Sequence, residues 1–193
     1  MPEAASCEPR QGDALVVVDV QNDFLPGGSL AVPGGDAVVA PLNAWLGRFA
    51  AGGLPVVATR DWHPANHCSF AAQGGAWPAH CVAGTPGAHF AALLALPAGA
   101  IVVSKATSAE ADTYSAFSGT KLRERLRDLG IKRLFVGGLA AEYCVLHTVR
   151  DALALGYRVV LLRACIRAVN LNAGDGERAI SAMRRGGAVI LEG

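Results

Sequence analysis

Short apolar runs with the composition of buried strands alternate along the chain with segments whose apolar residues recur at helical spacing. The first run, residues 14–20 (ALVVVDV), is almost continuously apolar and β-branched, as in a strand buried on both faces of a sheet. Similar runs occupy residues 55–60, 101–104, 134–140, 158–162 and 188–191. The intervening spacing predicts helices over residues 36–51, 114–129, 143–155 and 176–185. Such alternation is typical of right-handed βαβ units, so we predict a three-layer α/β/α fold with a mainly parallel, Rossmann-like sheet of six strands.

Length and composition favour one domain. The chain has 193 residues, of which 52% are hydrophobic and 17% charged, and this balance supports a substantial core and excludes a disordered chain. We find no internal repeat and no linker. The prediction is a flexible N-terminal tail at residues 1–12 and a single domain at residues 13–193.

Charge and cysteine usage exclude several classes of function. The net charge of +1 predicts no nucleic-acid partner, and the basic residues between 121 and 127 read as a solvated helix face. No apolar run reaches the ~18 residues needed to span a bilayer, and the N-terminus does not resemble a signal peptide. Five cysteines without CxxC spacing predict reduced thiols and a cytoplasmic location. The oligomeric state, monomer or homo-oligomer, stays open.

Four reactive side chains follow predicted strands. Asp19, Asp61, Lys105 and Cys144 each stand at or just beyond the end of one. Because the carboxyl ends of parallel strands meet at one edge of the sheet, where ligands bind, we expect these groups to converge. Residues 136–141 (VGGLAA) match neither nucleotide-binding glycine pattern, so we do not expect NAD or ATP at this edge.

Cys144 is the candidate nucleophile. It lies where a predicted strand gives way to a helix, and the N–H groups and dipole of a helix N-terminus favour a thiolate. Asp19 could accept the thiol proton, and Lys105 could keep Asp19 ionised and the thiol acidic. Each residue also has an ordinary interpretation: a buried small side chain for Cys144, a turn cap for Asp19 and a solvated lysine for Lys105.

The irregular segment over residues 61–98 carries a candidate metal site. Asp61, His63 and His80, with His67 nearby, offer mixed oxygen and nitrogen ligands. Three protein ligands would leave coordination positions for water or substrate, a pattern that suits zinc, iron(II) or manganese. A structural role for the histidines is the alternative, and His67 could be a ligand or could support one.

Several strings resemble the motifs of one family in their order along the chain. They are residues 18–24 (VDVQNDF), 27–30 (GGSL), 60–70 (RDWHPANHCSF), 77–82 (WPAHCV), 114–117 (YSAF) and 136–145 (VGGLAAEYCV). From about Asp13 to the C-terminus, the chain resembles bacterial nicotinamidases, members of the isochorismatase-like cysteine hydrolase superfamily. Residues 140–145 read AAEYCV where many relatives read ATDYCV.

The resemblance implies a role for each candidate residue. The catalytic triad would be Asp19, Lys105 and Cys144. One divalent metal ion would be held by Asp61, His63 and His80, with zinc expected in preference to iron or manganese. The substrate pocket would be lined by Phe24, Trp77 and Tyr114, with plain core packing as the alternative for each residue taken alone. The backbone N–H groups of Ala140 and Cys144 would form the oxyanion hole, shaped by a cis peptide bond between Leu139 and Ala140.

The implied reaction is hydrolysis of nicotinamide to nicotinate and ammonia through a cysteine thioester, with the metal binding the pyridine nitrogen. Hydrolysis of pyrazinamide and a role in recycling nicotinamide toward NAD follow from the same resemblance. One alternative is a related cysteine hydrolase that acts on a ureidoacrylate or an N-carbamoyl compound. Another is a metal-binding or partner-binding domain with an inactive site.

Overall fold

A six-stranded sheet forms the centre of the computed structural model, which describes residues 8–192. Its strands are β1 (Asp13–Val18), β2 (Val56–Asp61), β3 (Ile101–Lys105), β4 (Arg133–Leu139), β5 (Arg158–Arg167) and β6 (Val189–Leu191). All neighbouring strands are parallel, in the order β3-β2-β1-β4-β5-β6. The predicted α/β fold with six strands is confirmed.

Helices cover both faces of the sheet. Helix α1 (Val39–Ala51) packs on one face, and α2 (Leu122–Asp128), α3 (Leu146–Ala154) and α4 (Asp175–Arg185) pack on the other. The two cores share β1, whose alternate residues Val16 and Val17 point to opposite faces. Burial on both faces explains why this strand is apolar along its whole length.

The predicted helix over residues 114–129 is wrong in its first half. Helix α2 begins only at Leu122, and the preceding segment is irregular. A polar side chain there binds the backbone, because the Ser115 hydroxyl accepts a hydrogen bond from the N–H of Phe117 (3.2 Å). In addition, Gly119 has a φ of 68°, which is not helical. Side-chain hydrogen bonds of this kind compete with helix formation, which the apolar spacing does not reveal.

Strand β5 extends five residues beyond its predicted end at Leu162. Its pairing with β4 shifts between Val136 and Gly138, because Val136 lies opposite Leu161 whereas Gly138 lies opposite Ile166. Residues 162–165, between the paired Leu161 and Ile166, form a bulge, after which β5 resumes pairing near the carboxyl end of β4.

The order of the strands reverses between β1 and β4, and the crevice of such a sheet lies at this point. The two strands approach closely there. Gly138 has a φ of 132°, and a Cβ at this position would lie 2.0 Å from the carbonyl oxygen of Val18. Only glycine therefore lets β4 deliver the segment with Cys144 beside the end of β1.

The N-terminal residues that the structure describes contact the domain. The N–H of Arg10 binds the Asp13 carboxylate (2.7 Å), and Arg133 donates to the carbonyl of Glu8 (3.0 Å). Residues 1–7, most of the predicted tail, lie outside the described residues. Within residues 8–192, no helix combines the length and apolar character needed to cross a bilayer.

Candidate active site

Asp19, Lys105 and Cys144 lie together at the carboxyl edge of the sheet, and all three are buried. The Lys105 ammonium lies 2.9 Å from Asp19 Oδ2 and donates to Cys144 Sγ at 3.3 Å. The carboxylates of Asp19 and Asp61 and the Cys144 sulfur lie within 4.8 Å of one another. A thiol, a carboxylate that can take its proton and a cation that contacts both are the parts of an activated nucleophile.

Asp19 is held by the strand beside it. Its backbone leaves β1 with a φ of 48°, which turns the chain out of the sheet. The Thr59 hydroxyl of β2 donates to Asp19 Oδ1 at 2.6 Å and accepts the Asp19 N–H at 3.3 Å. One carboxylate oxygen is thus bound to Thr59, and the other faces Lys105.

Burial and charge separate the acidities of this cluster. Burial raises the pKa of Asp19, with a further contribution from Asp61, and Lys105 and Thr59 offset only part of this rise. Burial opposes the charge of Lys105, yet Asp19 and Asp61 outweigh it and raise the lysine pKa well above its ordinary value. The lysine therefore stays protonated, whereas Asp19 has the raised pKa that suits a group that gains and loses a proton.

The expectation of an acidic thiol is wrong. Burial raises the pKa of Cys144 well above its ordinary value, and the two neighbouring carboxylates add to the effect. Lys105 lowers the thiol pKa but does not compensate. Sequence reasoning counted the helix end and the lysine and could not count the desolvation. The thiol therefore keeps its proton until a neighbouring base removes it.

Asp61, His63 and His80 offer ligand atoms within 4.8 Å of one another, and all three residues are buried. The Nδ1 atom of each histidine is hydrogen-bonded to a backbone carbonyl. His63 Nδ1 lies 3.0 Å from the carbonyl oxygen of His80, and His80 Nδ1 lies 2.8 Å from that of Pro78. Because a carbonyl only accepts, both Nδ1 atoms carry the proton, and the Nε2 lone pairs are available to a metal. One carboxylate and two imidazoles fit a divalent cation such as zinc.

Asp61 joins the two groups of residues. It forms an ion pair with Lys105 at the end of β3. Burial opposes its charge, but Lys105, His63 and His80 together lower its pKa below the ordinary value, so Asp61 stays ionised. Burial also lowers the pKa of His63, which favours the neutral imidazole that a metal requires.

His67 is completely buried beside this group. Its Nδ1 contacts the Ser69 hydroxyl at 2.8 Å, its ring lies 4.3 Å from the His63 ring, and its Nε2 has no hydrogen-bond partner among residues 8–192. Its ligand atom also lies within 4.8 Å of those of His63 and the exposed Asp112. The position fits either a further ligand or a support for His63.

A small, mainly apolar pocket opens beside Cys144. Its walls include the three lining residues that were predicted, Phe24, Trp77 and Tyr114. Four further residues that the sequence did not single out also line it: Leu30, Val32, Tyr143 and Val169. Asp61 and His80 reach the same pocket. The Trp77 indole donates to the Tyr114 hydroxyl (3.2 Å) and packs edge-on against Tyr143 (5.2 Å). A flat ring would find apolar contacts here, with the thiol and the metal-binding group beside it.

The segment that carries Cys144 is a single π-helical turn, Ala141–Val145, directly before α3. The N–H groups of Tyr143 and Val145 bind the carbonyl of Ala140 at 3.1 and 3.2 Å. The Leu139–Ala140 peptide bond is cis, which confirms that expectation. Ala140 and Cys144 both line the pocket, and their N–H groups stay the predicted oxyanion donors.

Two residues with important contacts were missed. Thr59 binds Asp19, and the Gln21 amide binds the backbone of Asp61. A weak signal existed for Thr59, because it precedes Asp61 by two residues on a strand and so faces the same side. Nothing in the sequence pattern shows which backbone the Gln21 side chain reaches.

Known proteins with similar sequences and structures cover nearly the whole chain. The family model described as the isochorismatase domain matches residues 13–192. The nicotinamidase of Escherichia coli (strain K12) is 41% identical over 198 residues, covering 92% of this chain and 93% of the relative. The crystal structure of the pyrazinamidase of Pyrococcus horikoshii in complex with zinc has 46% identity and a TM-score of 0.90, covering 94% of this chain and 99% of that one. The crystal structure of PnC1 from L. infantum in complex with nicotinate has 39% identity and a TM-score of 0.87, covering 94% and 93%.

Proposed function

The chain belongs to the isochorismatase family, and we propose that it hydrolyses nicotinamide to nicotinate and ammonia. The similar proteins named as nicotinamidase and pyrazinamidase support this activity. The observation that carries the proposal is one constellation: the thiol of Cys144, its contacts with Lys105 and Asp19, and the aromatic pocket beside the sulfur. Pyrazinamide, an amide on a similar ring, is a second proposed substrate.

In the proposed mechanism, Asp19 removes the proton from the Cys144 thiol as the sulfur attacks the amide carbon. The raised pKa of Asp19 supports this role, because it makes the carboxylate a stronger base toward the thiol. The carbonyl oxygen becomes an oxyanion, to which the N–H groups of Ala140 and Cys144 would donate. Lys105 holds its positive charge beside the sulfur and the carboxylate throughout.

Collapse of the tetrahedral intermediate breaks the C–N bond. Asp19 gives its proton to the departing amine, which leaves as ammonia, and a thioester between Cys144 and the nicotinoyl group remains. Asp19 is then free to take a proton from water, whose oxygen attacks the thioester. The sulfur departs from the acyl carbon, nicotinate is released, and the proton returns to Cys144.

Asp61, His63 and His80 are the proposed ligands of a divalent cation, and we propose zinc as its identity. When bound, the cation would act as a Lewis acid toward the pyridine nitrogen and would help to orient the substrate amide toward Cys144. The fixed Nδ1 protons of both histidines and the ionised state of Asp61 support this assignment. The aromatic side chains Phe24, Trp77 and Tyr114 would hold the ring by its faces and edges.

An assay of ammonia release tests the proposal. Purified protein is given nicotinamide, pyrazinamide, a ureidoacrylate and an N-carbamoyl amino acid, each at several concentrations, and ammonia and the acid product are quantified. We expect the highest kcat/KM for nicotinamide, because the pocket offers aromatic walls and few polar groups. A clear preference for a carbamoyl compound would contradict the proposed substrate, and release from none of the amides would contradict the enzymatic role.

A further inference from the structure

The side chain of Gln21 makes three hydrogen bonds inside the protein, and it is completely buried. Its Oε1 accepts the backbone N–H of Asp61 at 2.8 Å, and its Nε2 donates to the carbonyl oxygens of Asp61 (2.8 Å) and Ala88 (3.0 Å). Both the N–H and the carbonyl of Asp61 are thus bound to the side chain of Gln21.

The position of Gln21 follows from the end of β1. That strand pairs with β2 as far as Val18 opposite Thr59, and the chain then turns away at Asp19. Asp61, two residues beyond Thr59, directs its N–H and carbonyl toward the space that β1 has left. The Gln21 amide, which has the same donor and acceptor groups as a peptide, takes the place of the missing strand.

Asp61 is therefore fixed from both sides. On the side of β3, the next residue, Trp62, donates its N–H to the carbonyl of Lys105 at 3.1 Å. On the other side, only the Gln21 amide binds the Asp61 backbone among the described residues. The carboxylate of Asp61 pairs with Lys105 and has an oxygen within 4.8 Å of the ligand atoms of His63 and His80, so a small displacement of its backbone would change these distances.

We propose that Gln21 is a positioning residue, which acts through the backbone of Asp61 to place that carboxylate as a metal ligand. The inference rests on the proposed function, since it takes Asp61, His63 and His80 as the metal site. Groups that orient a ligand commonly change metal affinity by about 10- to 100-fold when they are removed. Loss of the Gln21 amide should therefore weaken metal binding in a protein that is still folded.

The neighbouring Asn22 provides a matched control. Its Nδ2 donates to the carbonyl of Pro86 at 2.8 Å, so it ties the same turn to the same loop as Gln21 does through Ala88. It makes no hydrogen bond to Asp61. A general loosening of this loop should appear in both variants, whereas displacement of Asp61 should appear only when Gln21 is changed.

The experiment measures Zn²⁺ affinity directly. Wild type, Gln21→Met, Gln21→Asn and Asn22→Ala are stripped with a chelator and titrated with Zn²⁺ in competition with a chromogenic chelator. Circular dichroism and urea unfolding monitor the fold. Methionine keeps the length of glutamine without its amide, and asparagine keeps the amide but is too short by one methylene. We expect the Zn²⁺ Kd to rise about 10- to 100-fold in both Gln21 variants and to stay near the wild-type value in Asn22→Ala.

A second readout separates positioning from damage to the fold. Saturating Zn²⁺ should restore most of the kcat of Gln21→Met toward nicotinamide, because its catalytic groups are intact. If both Gln21 variants fail to fold, hydrogen exchange on the wild type tests the same point: Zn²⁺ should slow exchange of the Asp61 amide and of the Gln21 side-chain amide much more than that of Asn22.

The outcomes distinguish this inference from the proposed function. A folded Gln21→Met with the wild-type Kd, an equal loss in Asn22→Ala, or unchanged exchange at Asp61 would overturn the positioning role alone. A wild-type protein that binds no divalent cation would overturn the proposed metal site and this inference together.

Discussion

Replacing Thr59 with valine removes the hydroxyl that donates to the Asp19 carboxylate and accepts the Asp19 N–H, while keeping the size and the branched shape of the side chain. The Thr59 hydroxyl donates to Asp19 Oδ1 at 2.6 Å, and neither side chain is exposed. A hydrogen bond to a charged group is worth about 1.5–3 kcal/mol. Because the hydroxyl stabilises the ionised carboxylate, its loss should raise the pKa of Asp19 further. At 1.36 kcal/mol for each pKa unit, the rise is about one to two.

The sign of the effect on activity follows from the role of Asp19 as base. The free enzyme is active when Asp19 is ionised, so a higher pKa means that activity appears only at higher pH. The acidic limb of the kcat/KM profile for nicotinamide should therefore move up by about one to two pH units. At a pH well below this limb, the kcat/KM of Thr59→Val should be about 10- to 100-fold lower than that of the wild type, since each pKa unit corresponds to a factor of ten.

The assay is ammonia release from nicotinamide across the pH range, with metal content and circular dichroism measured for each protein. Thr59→Ser is the control, because it keeps the hydroxyl and loses only a methyl group. An acidic limb at the same pH in wild type and a folded Thr59→Val would refute the reasoning. So would an equal displacement in Thr59→Ser, which would implicate packing rather than the hydrogen bond.

Three other predictions concern stability and the metal. Asp13→Asn should reduce the free energy of unfolding in urea by about 3–5 kcal/mol, because it removes the negative charge from a buried ion pair with Arg133; a change below about 1 kcal/mol would contradict this. Gly47→Ala in α1 should stabilise the protein by up to about 1 kcal/mol, since a Cβ there would meet no other atom within 4 Å outside the adjoining helix backbone. Gly138→Ala should instead prevent normal folding, because its Cβ would collide with the Val18 backbone. Equal unfolding midpoints of the two variants would count against both expectations. Chelation should abolish nicotinamide hydrolysis, and Zn²⁺ should restore it; full activity in metal-free protein would exclude a role for the cation.

The strands and the convergence of the reactive groups could be predicted because both depend on local patterns. A continuous apolar run such as that of β1 marks a strand buried on both faces, and parallel strands bring their carboxyl ends to one edge. Asp61 and Lys105, the last residues of β2 and β3, meet for this reason. The failures have the opposite cause. The segment before α2 has helical apolar spacing, but the backbone hydrogen bonds of Ser115 and the conformation of Gly119 prevent the helix.

The finer parts of the site depend on contacts between distant segments. Thr59 reaches Asp19 only because β1 and β2 pair in one particular register, and Gln21 reaches Asp61 only because β1 ends where it does. The acidity of Cys144 depends on how completely the fold excludes water, which neighbouring residues in the sequence do not reveal. Position along the chain can suggest which groups react, whereas their protonation is set by the surrounding structure.

Ammonia release from nicotinamide by wild type and Cys144→Ala, purified in parallel with the same metal content, tests the central claim most directly. Alanine removes the sulfur from a buried position, and circular dichroism would verify that the fold is kept. The mechanism predicts equimolar nicotinate and ammonia from the wild type, and a rate for Cys144→Ala that is lower by about 10³-fold or more. A folded Cys144→Ala that releases ammonia at a rate near that of the wild type would contradict the assignment of Cys144 as the nucleophile.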